Sequence, residues 1–85
     1  MLNIEYSFHA KRFLKKADKL LMLRIIKRIE KLSEEPFPSE IVRVEKYTKE
    51  KVFRIRVGDY RISYSVFHDK NLLFVVDIDK RERVY

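Results

Sequence analysis

The sequence VFRIRVGDYRISYSVF, residues 52–67, decides the fold of this chain. Apolar and polar residues alternate on both sides of Gly58 and Asp59, which is the period of a half-buried β-strand. Gly followed by Asp suits a type II′ turn, because the first central residue of that turn needs a positive φ. We therefore predict a β-hairpin whose two strands are closed by Val57 and Tyr60.

This hairpin places positive charges against each other. A two-residue loop puts Arg56 opposite Arg61 and Arg54 opposite Ser63. Like charges directly across a sheet are destabilising by about 0.2–1 kcal/mol. A sheet that carries such a cost is typical of a site for an anion, and the alternative is an ordinary solvated sheet face.

Composition limits the class of protein. The 85 residues suit one small domain, residues 1–85, and no cysteine is present for disulfides or thiolate metal sites. No apolar run approaches a membrane span and no signal peptide is recognisable, so we expect a cytoplasmic protein without membrane contact. No metal-ligand spacing and no glycine-rich phosphate loop is found, so no metal or cofactor is expected. His9 and His68 are interpreted as structural.

Positive charge is concentrated in the first half of the chain. The net charge is +7, and residues 9–31 hold nine Lys and Arg against two acidic residues. A basic helical surface is the electrostatic footprint of a polyanion, although a solvated helix face is the alternative. Together with the sheet arginines it favours nucleic acid. We call its first part the helical basic surface: Lys11, Arg12, Lys15, Lys16 and Lys19.

The remaining pattern predicts an α+β fold. Asp18 is a plausible N-cap, so we break the helical region there, with one long helix as the alternative. Two prolines, Pro36 and Pro38, end that region. The predicted order is an N-terminal strand (2–8), a two-helix hairpin (10–17 and 19–33), a short extended piece (41–47), and antiparallel strands at 52–57, 60–68 and 72–78.

The register of the last two strands follows from a three-residue loop, 69–71, with Asn71 in the left-handed conformation. It pairs His68 with Leu72 and Ile62 with Ile78. The helices then pack on one sheet face, formed by Phe53, Ile55, Val57, Tyr60, Ile62, Tyr64, Val66, Phe74, Val76 and Ile78. The other face carries Arg54, Arg56, Arg61, Ser63, Ser65, Asp77 and Asp79, and Arg81, Arg83 and Tyr85 if the extended structure continues.

The chemistry of that second face suits a phosphate. Arginine offers a planar fork of donors that binds phosphate bidentately and never deprotonates. Four arginines, Arg54, Arg56, Arg61 and Arg81, could stabilise the extra charge of a pentacoordinate phosphorane. Proton transfer needs another group. Tyr85 is the candidate because nearby cations favour its phenolate form, and a frayed terminal residue is the alternative.

The segments FRIR (53–56), GDYRISY (58–64) and KRERVY (80–85), in this order, resemble the RelE toxins of the RelE/ParE superfamily. The resemblance covers nearly the whole chain. It implies a RelE-like fold and a ribosome-dependent, metal-independent endoribonuclease that cuts mRNA in the ribosomal A site. It also implies a RelB-type antitoxin as partner.

Carried over residue by residue, the resemblance implies catalytic roles for Arg54, Arg56, Arg61, Arg81 and Tyr85. Contacts to ribosomal RNA and mRNA are assigned to the helical basic surface, Lys80 and Arg83. Two features depart from the family: arginines replace lysines at positions 54 and 56, and Tyr85 follows Arg81 at a slightly shorter spacing. A ParE-like toxin that inhibits DNA gyrase and a non-catalytic RNA-binding protein are the alternative functions.

Overall fold

The computed structural model describes residues 1–44 and 51–80; the predicted site residues Arg81, Arg83 and Tyr85 lie outside these ranges. The elements in chain order are β1 (Asn3–Tyr6), α1 (Phe8–Lys16), α2 (Lys19–Glu34), β2 (Val42–Val44), β3 (Val52–Val57), β4 (Tyr60–Phe67) and β5 (Leu72–Lys80). A short 3₁₀ turn, His68–Lys70, joins β4 to β5. Neither helix is long and apolar enough to cross a membrane, as far as the described residues show.

The strands form one sheet in the order β1-β5-β4-β3-β2. β1 lies parallel to β5 and the other neighbours are antiparallel, so the sheet is mixed rather than purely antiparallel. The helices cover one face of it, where Ala10, Ile25 and Ile29 are fully buried against Ile55 and Ile62. The predicted α+β fold is therefore confirmed.

The two helices are separated by a true break. The Asp18 carboxylate accepts a hydrogen bond from the Leu21 backbone N–H at 2.9 Å and caps the second helix, as predicted. Ser7 caps the first helix in the same way, with its hydroxyl 3.1 Å from the Ala10 nitrogen. The alternative of one long helix is wrong, because Ala17 and Asp18 both adopt extended backbone conformations.

The hairpin of β3 and β4 has the predicted register. Arg56 pairs with Arg61, Arg54 with Ser63, and Val57 with Tyr60 next to the turn. Gly58 has a φ of 59°, and Asp59 is not among the residues with positive φ, so the turn is of type II′.

The register of β4 with β5 is only half as predicted. Ile62 pairs with Ile78, but beyond a bulge Tyr64 pairs with Val75 and Phe67 with Leu72. Val76 is the extra residue on β5. His68 does not pair with Leu72, although Asn71 does adopt the left-handed conformation, with φ 50° and ψ 48°.

The bulge changes which residues form the core. Leu73 and Val75 are fully buried on the helix side, whereas Phe74 and Val76, predicted to be core residues, are not part of this cluster. A strand residue and its neighbour point to opposite faces, so one extra residue reverses the alternation. Ser65 also differs from the prediction: it is buried on the arginine face, and its hydroxyl donates to the Lys51 carbonyl at 2.9 Å.

Ser7 holds the bulge in place. Its hydroxyl donates to the Val76 carbonyl at 2.6 Å, and its backbone N–H donates to the Val75 carbonyl at 2.9 Å. The same hydroxyl accepts from Ala10. One side chain therefore joins the end of β1, the start of α1 and the irregular point of β5.

We expect Ser7→Ala to lower the free energy of unfolding by about 1.5–5 kcal/mol. It removes a helix cap, worth about 0.5–2 kcal/mol, and leaves the half-buried Val76 carbonyl without its partner, which costs about 1–3 kcal/mol. The control is Asp18→Ala, which removes only an exposed cap. Urea titration of both variants checks this, and an equal loss in the two would show that the bulge contact adds nothing.

Tyr64 anchors the segment that leaves α2. The side chain is completely buried, and its hydroxyl donates to the Pro36 carbonyl at 2.5 Å. Phe37 packs edge-on against Phe53, with ring centroids 5.2 Å apart. Burial raises the pKa of Tyr64 to about 12, with Glu40 adding to the rise and Arg28 opposing it. Between about pH 10 and pH 12 the folded protein therefore keeps the phenol proton that the unfolded chain loses.

This pKa makes the stability contribution of Tyr64 dependent on pH. It is fully present below about pH 10, the unfolded value, and is lost as pH rises toward about 12. We expect wild type to be more stable than Tyr64→Phe at pH 8, by about 0.5–1.5 kcal/mol for the hydrogen bond. That difference should shrink by about 2 kcal/mol and change sign by pH 11.5. Urea titrations across this range measure it, and a constant difference would contradict the buried-phenol account.

Candidate functional site

The exposed sheet face near the β3–β4 turn carries two rows of charged residues. The first row runs Arg56, Arg61 and Asp79 across β3, β4 and β5. The second contains Arg54, Ser63 and Asp77, with Val42 of β2 opposite Arg54. The arginines thus lie on the hairpin of β3 and β4, and the aspartates lie on the neighbouring strand β5. Arg61 is between Arg56 and Asp79 in the first row.

Arg61 is held by an ion pair. Its Nε lies 3.1 Å from Oδ1 of Asp79, and its Nη2 lies 3.5 Å from Oδ2 of the same carboxylate. The side chains are 28% and 48% exposed, so this pair contributes only about 0–1 kcal/mol to stability. Its main effect is geometric, because it fixes the plane of the guanidinium. The remaining N–H groups are left for a ligand.

Arg54 has a donor without an acceptor. The residue is half-buried, and its Nε is buried with no hydrogen-bond partner among the residues that the structure describes. An unsatisfied buried donor costs about 1–3 kcal/mol. A bound anion or an ordered water at this position would satisfy it.

Arg56 is the most accessible of the three arginines. It is exposed, lies directly opposite Arg61, and forms no ion pair within residues 1–44 and 51–80. Its charge is therefore repelled by Arg61 and attracted to no carboxylate nearby. The three predicted sheet arginines do come together on one face, as the hairpin requires, and an anion bound between them would relieve their repulsion.

The helical basic surface is not part of that face. All five of its residues are exposed, but they lie on helices that pack against the opposite side of the sheet. The Arg12 guanidinium lies over the Phe8 ring, 6.0 Å from its centroid. Lys80 is exposed at the end of β5, opposite Tyr60 and close to the hairpin turn. The predicted RNA-binding residues therefore occupy two surfaces.

The titratable groups beside the arginines are the carboxylates Asp77 and Asp79, and both histidines lie elsewhere. His68 follows the far end of β4, seven residues from Arg61, a separation of roughly 20 Å along a strand. His9 is in α1, on the helix side. Within the described part of the chain, no three acidic or histidine side chains are arranged to hold a metal ion. Arg81 and Tyr85, the remaining predicted catalytic residues, lie outside the described ranges.

The structure adds one basic residue that sequence reasoning did not place near the site. Arg24 of α2 approaches the hairpin turn so closely that its Nη2 would lie 3.1 Å from a Cβ atom at Gly58. The two residues are far apart in the chain and belong to different elements. A helix charge pattern alone does not reveal such a contact.

Comparison with known proteins agrees with this architecture. The archaeal RelE of a RelE–RelB complex from Pyrococcus horikoshii superimposes with a TM-score of 0.81 and 23% identity, covering 98% of each chain. The isolated E. coli RelE toxin gives a TM-score of 0.80 and 19% identity, over 99% of this chain and 88% of that one. At these identities the likeness shows the fold.

Sequence comparison shows the family. A relative from Methanocaldococcus jannaschii, described as putative toxin RelE1, is 31% identical over 58 residues, which span 67% of this chain and 64% of the relative. The matched part is thus less than two thirds of that relative's length. Residues 4–85 match the family described as ParE toxin of type II toxin-antitoxin system, parDE. The chain therefore belongs to this toxin family, within the RelE/ParE superfamily.

Proposed function

We propose that this toxin is a ribosome-dependent mRNA endoribonuclease of the RelE type. The observation that carries the proposal is the pairing of Arg56 with Arg61 on an exposed sheet face, where Asp79 orients Arg61. Arg54, next to this pair, adds a buried donor that lacks an acceptor. These features fit a site for a phosphate group that gains negative charge during reaction. Work on ribosomes would place the protein in the cytoplasm.

The reaction we propose needs no metal ion. The 2′-oxygen of one nucleotide attacks the adjacent phosphorus, the P–O5′ bond breaks, and a 2′,3′-cyclic phosphate and a 5′-hydroxyl result. The proton of the 2′-hydroxyl passes to a base, and the leaving 5′-oxygen receives a proton. Arg54, Arg56 and Arg61, joined by Arg81, stabilise the phosphorane. Arginine remains protonated, so we assign proton transfer to Tyr85.

The proposed partners follow from charge and family. The net charge of +7 favours RNA, and the helical basic surface, Lys80 and Arg83 are the proposed contacts to ribosomal RNA and mRNA. The Pyrococcus RelE was crystallised with RelB. We therefore propose that a RelB-type antitoxin, with an acidic segment complementary to the basic surfaces, neutralises this chain.

A second candidate is inhibition of DNA gyrase. It is favoured by one observation, the match of residues 4–85 to the ParE family. The segment KRERVY, residues 80–85, which resembles the RelE branch, argues for the nuclease. Purified toxin decides between them: cleavage of mRNA on programmed ribosomes supports the first, and loss of supercoiling by gyrase without RNA cleavage supports the second.

We expect Arg56→Ala and Arg61→Ala to lose cleavage while remaining folded. Loss of one positioned donor to transition-state charge reduces the rate by about 10²–10³-fold. Their stabilities should differ: Arg56→Ala relieves repulsion and is neutral or stabilising by about 0.2–1 kcal/mol, whereas Arg61→Ala loses an ion pair worth about 0–1 kcal/mol. Single-turnover cleavage and urea titration measure both quantities.

The control for these two variants is Lys27→Ala, which removes an exposed charge on α2 away from the sheet face. It should cleave as wild type does. If all three variants lose activity equally, net charge explains the effect and the sheet arginines have no special role.

We expect Arg81→Ala to be more damaging than Tyr85→Phe. Arg81 directly follows Lys80, which is paired in β5, and a catalytic group close to a paired strand is expected to be held better than one four places further on. Loss of a general acid or base reduces rates by about 10²–10⁴-fold only when that group is well placed. Single-turnover cleavage on saturated ribosomes across pH tests the order. A worse Tyr85→Phe variant with no pH dependence would make the phenol the main proton carrier.

A further inference from the structure

Gly58, the chain's single glycine, meets two requirements at once. Its φ of 59° is one that other residues adopt only with strain, and it forms the first corner of the hairpin turn. A side chain here would also meet Arg24, whose Nη2 lies 3.1 Å from the position of a Cβ atom. The glycine therefore leaves room for a guanidinium at the tip of the hairpin.

No carboxylate among the residues that the structure describes lies within ion-pair distance of Arg24. Arg24 is exposed, and the ion pairs within the described ranges are Arg28 with Glu40 and Arg61 with Asp79. Asp59 follows Gly58 in the same turn but does not approach Arg24 to ion-pair distance. The contact with Gly58 thus positions a cation that remains available to an external anion.

The hairpin tip is where the helix side and the exposed sheet face meet. Arg56 and Arg61 lie one row behind Val57 and Tyr60, which close the turn. Two strand residues span about 7 Å, which is within the Debye length of about 8 Å at physiological salt. The positive charge of Arg24 therefore lies at the edge of the sheet, beside the turn that precedes the row of Arg56 and Arg61.

We propose that Arg24, held against the Gly58 turn, is a phosphate-binding residue that joins the helical basic surface to the sheet arginines in one continuous track for single-stranded RNA. This proposal rests on RNA as the ligand of the proposed function. A single RNA strand that follows this track would contact cations on both faces of the sheet. A positively charged groove can follow the backbone of a single strand around the tip.

Binding of a 2′-O-methyl RNA oligonucleotide, which cannot be cleaved by 2′-hydroxyl attack, tests the proposal without catalysis. Fluorescence anisotropy at several salt concentrations gives the slope of log affinity against log salt. Each phosphate contact to a single strand contributes about 0.7 to this slope. We expect Arg24→Gln to reduce the slope by about 0.7, which is about fivefold in affinity for each tenfold change in salt, and Arg24→Lys to retain it.

Two further variants separate position from net charge. Lys27→Gln removes the same charge from the same helix, at a residue about one turn further on that does not approach Gly58 as Arg24 does, and it should change the slope by less than half as much. Gly58→Asn keeps the net charge, and its Cβ atom would lie 3.1 Å from Nη2 of Arg24, so that the guanidinium has to shift. It should reproduce the slope of Arg24→Gln, with urea titration confirming that it is folded.

Equal slopes for Arg24→Gln and Lys27→Gln, or a wild-type slope in folded Gly58→Asn, would overturn the proposal. The cleavage assay distinguishes its failure from that of the nuclease. If the wild-type protein binds RNA through Arg24 but cuts no mRNA on ribosomes, the Arg24 contact stands and the proposed nuclease activity is wrong. If the protein cuts mRNA and Arg24 has no role in binding, the nuclease activity stands and the Arg24 contact is wrong.

Discussion

The bulge at Val76, whose carbonyl accepts a hydrogen bond from the Ser7 hydroxyl, is the constraint on which the pairing of Asp79 with Arg61 depends. Leu73 and Val75 face the core, and strict alternation would direct Asp77 and Asp79 to the same buried side. The extra residue reverses the alternation, so that Ile78 is buried and Asp79 reaches Arg61 on the other face. Because of the bulge, Leu73 and Val75 of β5 pack in the apolar core, whereas Asp79 at the other end of the strand lies on the charged face.

Placing the three arginines together lowers local stability and concentrates positive charge on one face of the sheet. Arg56 and Arg61 repel each other, and a buried donor of Arg54 lacks an acceptor in the described part of the chain. Asp79 offsets part of this repulsion, yet it is half exposed and engages only one of the three arginines. A complete set of carboxylates would neutralise the face and remove its attraction for phosphate. Because Asp79 pairs with one arginine, it holds the Arg61 guanidinium in place while positive charge on the face remains for a ligand.

The hairpin, the helix break and the fold class could be predicted because local chemistry decides each of them. Gly58 followed by Asp59 selects the turn, and the strict alternation around it permits one register. The segment LLFVVDI, residues 72–78, is apolar at five consecutive positions, so either alternation fits it and the bulge could not be seen. The contact of Arg24 with Gly58 was equally hidden, since it depends on the angle at which α2 crosses the sheet. The alternation placed Asp79 on the arginine face, and in the structure it pairs with Arg61.

The scarcity of proton-transfer groups shapes the mechanism that this site can support. Positions 54 and 56 of this chain are arginines, which hold charge but do not exchange protons at neutral pH. His68 is roughly 20 Å away along the strand, and Asp79 is engaged by Arg61. On a phosphate substrate, as proposed, the described face would therefore act chiefly by orientation and electrostatic stabilisation. Such a site is effective on a substrate that is already constrained near its reactive geometry, which mRNA bound to the ribosome provides. A nuclease that depends on the ribosome, as proposed, therefore fits this site better than one that cuts free RNA.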